Sequence, residues 1–496
     1  MSGFHVEHFG CRAARADGEA VGSRLVAAGH CAKPPHQADV VVVNTCSVTA
    51  KADRQARAFI RRTHRQNPAA RIVVTGCYAQ RAPQELAAMD GVAAVVGNSH
   101  KALAPAIILG LSGTRVDAQT ATPTQLVSVQ ELLTGAAAGN TPASAPIYAD
   151  DRFAHSFLEE AQLTPGAQTR PNLKIQEGCG NRCTFCVIPL TRGPSKSLPH
   201  AGLLRQVDGF VAAGGNELVL SGINLGRWGR DLAAQATLTG PTTLASLVRC
   251  IFHETSLPRL RLSSIEPMDW SAELIALMAE FGGTRLARHA HLPLQSGSDA
   301  VLRRMHRRYR PWHYAEKVEA LLGAAGPELT LGADVMAGFP GETDAEFEET
   351  LAMIRALPFG YLHLFPFSPR PGTRGWAQYA EQPIPARVVD ERMAALRALA
   401  AEKTRAHRSQ FAGRALEAIT LHTAQAVAAR GCTEALTENF LPVEIDGKLP
   451  ANRLLRVRVT GVNAAGTLTA AAASKTGARR GPYAGIAAGT AELACA

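Results

Sequence analysis

The chain has 496 residues, more than one compact core accommodates, because domains rarely grow past roughly 250 to 300 residues. Its 52 Lys+Arg against 42 Asp+Glu give a formal charge of +10, which suits a polyanionic partner without demanding one. No apolar run approaches the ~18 to 20 residues of a membrane span, and the first residues carry charge where a signal peptide is apolar, so a cytoplasmic protein with no membrane partner is expected, and its 10 cysteines point to metal or catalytic thiols rather than disulfides.

Residues 1–135 alternate short β-branched runs with helical patterns, in HVEHFGC, ADVVVVNTC, RIVVTGC and GVAAVVGN. This alternation predicts an open parallel α/β sheet, and a continuous run such as Val40 to Val43 suits a strand covered on both faces. The first three runs end in Cys11, Cys46 and Cys77. Ligand sites of open α/β sheets lie beyond the carboxyl ends of the strands, so these thiols are candidates to converge on one metal. A single buried cysteine would carry no such meaning, and Cys31, Cys250, Cys432 and Cys495 show no pattern. The helix expected after Cys46 carries Arg54, Arg57, Arg61, Arg62 and Arg65, several of them on one side, as an RNA-facing surface or a solvated face. Residues 136–168, rich in Ala, Gly, Pro and Thr, read as a linker.

Residues 169–408 contain strand-like NLKIQEGC, ELVLSGIN, LRLSSIE, HAHLPLQS, LTLGADVMAGFP and GYLHLFPFS, separated by helix-length segments. This pattern predicts a partial barrel of parallel strands with its chemistry at their carboxyl ends. Thr343 followed by Glu346 predicts a capping box. The stretch LRRMHRRYRPWHY mixes Arg303, Arg304, Arg307, Arg308 and Arg310 with Tyr309 and Trp312. It reads as an RNA-contacting segment or as an ordinary charged helix face. From residue 409 to 480, short alternating runs predict a small β-barrel, where Arg453, Arg456 and Arg458 are candidate phosphate contacts. Residues 481–496 read as a tail.

The most informative stretch is GCGNRCTFC, with Cys179, Cys183 and Cys186 at C-x3-C-x2-C spacing. Three such thiolates can ligate three irons of a [4Fe-4S] cube and leave the fourth open to a small molecule. Zinc is the competing reading, but the two spaced pairs typical of its structural sites are absent.

GCGNRCTFCVIPLTRG, including Phe185, resembles the cluster motif of radical S-adenosylmethionine enzymes, and residues from about 5 to about 480 resemble the methylthiotransferases among them. NTCSVTAKADRQARAFIRR, TRGPSKSLP and SGINLGRWGRDL resemble the branch that modifies threonylcarbamoyladenosine in tRNA. Other branches act on isopentenyladenosine in tRNA or on a ribosomal-protein aspartate. The resemblance implies an N-terminal domain with an auxiliary [4Fe-4S] cluster on Cys11, Cys46 and Cys77, a central barrel with the S-adenosylmethionine-binding cluster on Cys179, Cys183 and Cys186, and a C-terminal RNA-binding TRAM-like barrel. It implies cofactor contacts from Gly214, Gly215 and Glu217 in AAGGNELVLSG, from Ser264 and Glu266 in RLSSIEP, from Gln295 and Ser296 in HLPLQSGSD, and from Gly338 in ADVMAGFPGET. An ordinary turn explains the two glycine-rich stretches nearly as well. The implied partners are the tRNA anticodon stem-loop, an electron donor such as flavodoxin or ferredoxin, and a sulfur source. A non-catalytic RNA-binding protein with structural metal sites is the alternative of another class. One departure stands out: Ala14 replaces the family's Asn three residues after the first cysteine, and Gly18 its Ser or Thr, while Glu19 matches.

Overall fold

The computed structural model describes residues 2–111, 145–153, 158, 163, 168–233 and 240–473. Most of the expected linker and the whole tail, with Cys495, lie outside the described residues. The chain divides into two compact units whose boundaries differ from the sequence-based ones: residues 1–162, 176–196 and 368–383 form the first, and residues 163–175, 197–367 and 384–496 the second.

The first unit is built on a parallel sheet of β1 (Gly3–His8), β2 (Cys31–Ala32), β3 (Val40–Thr45), β4 (Arg71–Gly76), β5 (Val92–Gly97) and β6 (Ile147–Tyr148), in the order β2-β1-β3-β4-β5-β6. β6 falls within the expected linker and instead occupies a sheet edge beside β5. All six residues of β3 are buried, as its unbroken Val run requires. One face packs Val41, Val43, Ile72 and Val74 against Ala56, Phe59 and Ile60 of the helix Ala50–Gln66. The other packs Val40, Val42 and Val73 against Val21 and Leu25 of the helix Arg12–Ala27.

The second unit contains β7 (Asn172–Glu177) as far as Ile175, part of β8 (Lys196–Ser197), and then β9 (Glu217–Gly222), β10 (Arg259–Leu262), β11 (His289–His291), β12 (Thr330–Ala337) and β13 (Phe359–Pro366). β9 pairs in parallel with β10, and β12 with β11 and β13, in two sheets, with an isolated parallel bridge from Leu260 of β10 to Leu286 ahead of β11, the arrangement of the expected partial barrel. Thr343 and Glu346 make the expected capping box at the start of the helix Asp344–Ala356. In the same unit, β14 (Ala415–Thr420), β15 (Cys432–Thr437), β16 (Pro442–Asp446), β17 (Leu454–Val462) and β18 (Leu468–Ala472) close into a five-stranded barrel. Its core holds Leu416, Val443, Ile445, Val457 and Leu468. Arg288 grips the Glu438 carboxylate from the parallel barrel, Nη2 at 2.6 Å, and Arg261 Nη2 donates to the Thr437 carbonyl at 3.2 Å.

Candidate active site

Strand order brings the first three cysteines together. β1, β3 and β4 are adjacent, and neighbouring strands lie about 4.8 Å apart. Thr45 pairs with Gly76, so Cys46 and Cys77, the next residues, leave the sheet side by side. Cys11 follows β1 as the N-cap of the helix Arg12–Ala27, where the helix dipole favours an anion. Two glycines make the approach possible. Gly10 has φ +119°, and a Cβ there would sit 2.9 Å from the Cys46 Sγ. Gly76 has φ +97°, and its Cβ would meet the Thr45 carbonyl.

Cys46 and Cys77 are buried, whereas Cys11 is exposed, so the triad has a wet side and a dry side. Burial pushes the Cys46 thiol up to about 12, and the neighbouring Cys77 and Cys11 add to the rise. Three thiolates close enough to act on one another repel unless a cationic centre is held between them, which is the condition an iron-sulfur cluster meets. The donor set therefore fits a cluster. A counter-charge is built in as well. Arg192 Nε donates to Cys77 Sγ at 3.2 Å, and its Nη1 pairs with Glu177 at 2.7 Å and Asp17 at 3.0 Å. Lys101 pairs with the same two carboxylates. Burial opposes the charge on Arg192, but Cys77, Glu177 and Asp17 together outweigh it and raise its pKa well above the ordinary value. Asn98 Nδ2 adds a longer contact to Cys77 Sγ, 3.5 Å, and donates to the Thr191 carbonyl at 2.8 Å. The Cys46 loop is clamped through Asp53, which binds Arg81 at 2.8 Å and Arg370 at 2.7 Å, while Arg81 Nε donates to Ser47 Oγ. Where Ala14 lacks the family's amide, Asn44 brings one to the Ala14 carbonyl from β3, and a Cβ on Gly18 would lie 2.9 Å from that amide.

Cys179, Cys183 and Cys186 lie in the irregular segment after β7 and belong to the same unit. Cys179 N–H donates to the Gly193 carbonyl, Cys186 N–H to the Cys183 carbonyl, and Asn181 N–H to Cys179 Sγ at 3.4 Å. Gly178 and Gly193, both at φ +70°, allow the segment to fold back, and the Thr184 carbonyl accepts from Gly375 N–H at 2.7 Å. Arg192 ends the helix Ile188–Arg192 that follows Cys186.

The second unit brings together some of the other expected residues. Ser264 Oγ lies 3.0 Å from His291 Nδ1. Gln295 stands at φ 62°, buried, with its Oε1 unpartnered; a non-glycine residue held there marks stored strain of the kind found at functional sites. Gly338, at φ +75°, donates its N–H to Glu342 Oε2 at 2.8 Å and closes a turn.

Six of the expected residues make other contacts or stand elsewhere on their strands. Gly215 and Glu217 stand at the amino end of β9, away from the strand ends where barrel ligands bind, and Glu217 is fully buried among Arg261 at 2.8 Å, Arg170 at 3.4 Å and Arg259 at 3.5 Å. Burial opposes its charge, but those arginines outweigh it and lower its pKa. Glu266 and Arg307, expected to face cofactor and RNA respectively, pair with each other, and Arg307 is only 6% exposed. Arg304 is spent on a two-point contact with Glu346. Ser296 is buried against Thr350 Oγ1 at 3.0 Å. Arg303, Arg308, Arg453 and Arg456 remain exposed, although Arg303 pairs with Asp299 and Arg308 with Asp269. On the helix Ala50–Gln66, Arg54, Arg61, Arg62 and Arg65 are exposed, whereas Arg57 bonds Tyr78 and Glu85. Arg192, Asp17, Glu177, Lys101 and Arg370 escaped the sequence reading. Only the position of Arg192, six residues past Cys186, offered a signal.

Residues 173–354 match the Radical SAM superfamily, and residues 3–97 match a family described as Uncharacterized protein family UPF0004. A solved radical S-adenosylmethionine methyltransferase, TsrM from Kitasatospora setae, shares the fold with a TM-score of 0.53 at 15% identity, over 77% of this chain and 78% of its own. Fold and cysteine motif thus define a radical S-adenosylmethionine enzyme, a class that carries a [4Fe-4S] cluster and S-adenosylmethionine. The threonylcarbamoyladenosine tRNA methylthiotransferase MtaB of Bacillus subtilis is 34% identical over 445 residues, 90% of each chain. The tRNA-2-methylthio-N(6)-dimethylallyladenosine synthase of Erythrobacter litoralis is 32% identical over 85% of this chain and 86% of its own. The chain belongs to the MiaB/MtaB-type methylthiotransferase family. No helix among the described residues is long and apolar enough to cross a membrane.

Proposed function

We propose that this enzyme is a tRNA methylthiotransferase that places a methylthio group at C2 of N6-threonylcarbamoyladenosine beside the anticodon. The observation that carries the proposal is the pairing of two three-thiol sites in one compact unit, with Arg192 at Cys77 only six residues past Cys186. Cys179, Cys183 and Cys186 would hold the S-adenosylmethionine-binding cluster, and Cys11, Cys46 and Cys77 an auxiliary [4Fe-4S] cluster. When bound, the first supplies the reducing electron for a 5'-deoxyadenosyl radical able to attack an unactivated C–H bond, and the second the site at which sulfur is carried. The chain's part is to neutralise the thiolate charge through Arg192, to keep Cys46 and Cys77 dry, and to leave Cys11 accessible.

Three functional regions, residues 1–135, 169–408 and 409–480, would supply the auxiliary cluster, the radical core and RNA binding. Ser264, Gln295 and Gly338 would contact the cofactor. Arg303, Arg308, Arg453 and Arg456, with the exposed arginines of the helix Ala50–Gln66, would contact the tRNA backbone, and such contacts make affinity fall steeply with salt. An electron donor such as flavodoxin or ferredoxin, a sulfur source and a cytoplasmic location complete the proposal. Relatives named for threonylcarbamoyladenosine support this substrate over dimethylallyladenosine, although the identities of 34% and 32% differ little.

Mass spectrometry of tRNA nucleosides decides the substrate. A strain lacking the gene should lose the 2-methylthio form of threonylcarbamoyladenosine and recover it with the wild-type gene but not with Cys183→Ala. Loss of the isopentenyl derivative instead would favour the second substrate. An unchanged 2-methylthio pool would refute tRNA modification.

A further inference from the structure

In the second unit, three metal-capable side chains meet on adjacent strands: His291 at the end of β11, Asp334 within β12 and His363 on β13 directly opposite Asp334. One ligand atom from each lies within 4.8 Å of the other two. We infer that these residues form a mononuclear site for a divalent transition-metal ion, with ligands other than the six cluster cysteines.

The distances and the unpartnered nitrogen suit metal ligation. His291 Nε2 is 3.4 Å and His363 Nδ1 3.3 Å from the same oxygen, Asp334 Oδ1. The His363 contact is a hydrogen bond slightly longer than the usual range of about 2.7 to 3.2 Å, whereas His291 Nε2 is a buried atom with no hydrogen-bond partner. As edges of a coordination sphere both are of the right length, because metal–nitrogen bonds of about 2.0 to 2.1 Å put tetrahedral ligand atoms about 3.3 to 3.4 Å apart. Leaving a buried imidazole nitrogen unsatisfied costs free energy, and a metal ion removes that cost.

The surroundings are those of a built site. Ser264 Oγ engages the other nitrogen of His291 at 3.0 Å, which fixes the ring and directs Nε2 toward Asp334. The ring also stacks on Tyr361, with centroids 5.9 Å apart and planes at 23°, and the Tyr361 hydroxyl is held by His289 Nε2 at 2.8 Å. Exposure is graded: the side chains of His291, Asp334 and His363 are 8%, 26% and 62% exposed, so an ion enters from the His363 side and is held from the buried one. Two imidazoles and one carboxylate suit Zn²⁺ or Fe²⁺ rather than Mg²⁺ or Ca²⁺, and three protein ligands leave coordination positions open.

Zn²⁺ is the probe. The reconstituted full-length protein, with its cluster cysteines occupied by iron, is dialysed against Zn²⁺, metal content is read by mass spectrometry, and ligation is read by zinc K-edge absorption. One zinc per chain is expected, with nitrogen and oxygen ligands only. His363→Ala, at an exposed side chain, and Asp334→Asn should each weaken binding at least tenfold, and Ser264→Ala by roughly 10- to 100-fold, with iron content unchanged. Zinc bound through sulfur at about 2.3 Å, or His363→Ala and Asp334→Asn proteins that bind zinc as the wild type does, would overturn the assignment.

Discussion

Replacing Arg192 tests the link between fold and redox chemistry most directly. Its guanidinium is fully buried, contacts Cys77 Sγ at 3.2 Å and neutralises Glu177 and Asp17. Arg192→Met removes the charge and keeps an apolar stem, leaving Lys101 to face both carboxylates alone. Breaking a buried ion pair from one side costs about 3 to 5 kcal/mol, so urea unfolding should shift by that amount. The electrostatic effect on the auxiliary cluster is calculable as well. A unit charge about 6 Å from the cluster centre at an effective dielectric constant near 20 contributes roughly 3 kcal/mol, on the order of 100 mV for a one-electron couple. Removing a positive charge disfavours the reduced state, so the potential should become more negative. The assay is an EPR-monitored redox titration of reconstituted protein in the Cys183→Ala background, compared with and without Arg192→Met. Arg192→Lys, which keeps the charge but not the fork, should give a smaller shift. An unchanged potential in a variant with full iron loading would show that Arg192 is only a structural tie.

Three further outcomes are expected. Glu217→Gln should destabilise the second unit by about 3 to 5 kcal/mol, because it breaks the contacts to three arginines; a loss of S-adenosylmethionine affinity at unchanged stability would instead restore the cofactor role read from the sequence. Gly10→Ala, at φ +119° and 2.9 Å from Cys46 Sγ, should lower iron from about eight to about four per chain, while S-adenosylmethionine cleavage by the other site persists; full loading would refute the steric argument. Burial, with Arg408, lowers the pKa of His407 from 6.5 to about 4, so the unfolded chain takes up the proton first and stability is lost as pH falls from about 6.5 toward about 4, by about 3 kcal/mol. His407→Gln keeps a partner for Thr330 Oγ1 and should flatten that dependence in acid-unfolding curves; an equally steep curve would place the titrating group elsewhere.

The cysteine motif of the radical S-adenosylmethionine core and the parallel strands were legible in the linear chain because both are local signals. An unbroken Val run declares a strand buried on two faces, three thiols within eight residues declare a metal motif, and Thr343 with Glu346 declares a helix start. Charge partners are not local, and there only the tertiary structure decided. Arg192 meets Cys77 across 115 positions, Arg307 meets Glu266 across 41, and Glu217 is enclosed by arginines from 42 and 44 positions away. Ion pairs depend on which strands lie side by side and in what register, and composition carries neither. The same reason hid the His291, Asp334 and His363 cluster: each residue is unremarkable in its own strand, and only the pairing of β11, β12 and β13 makes them neighbours.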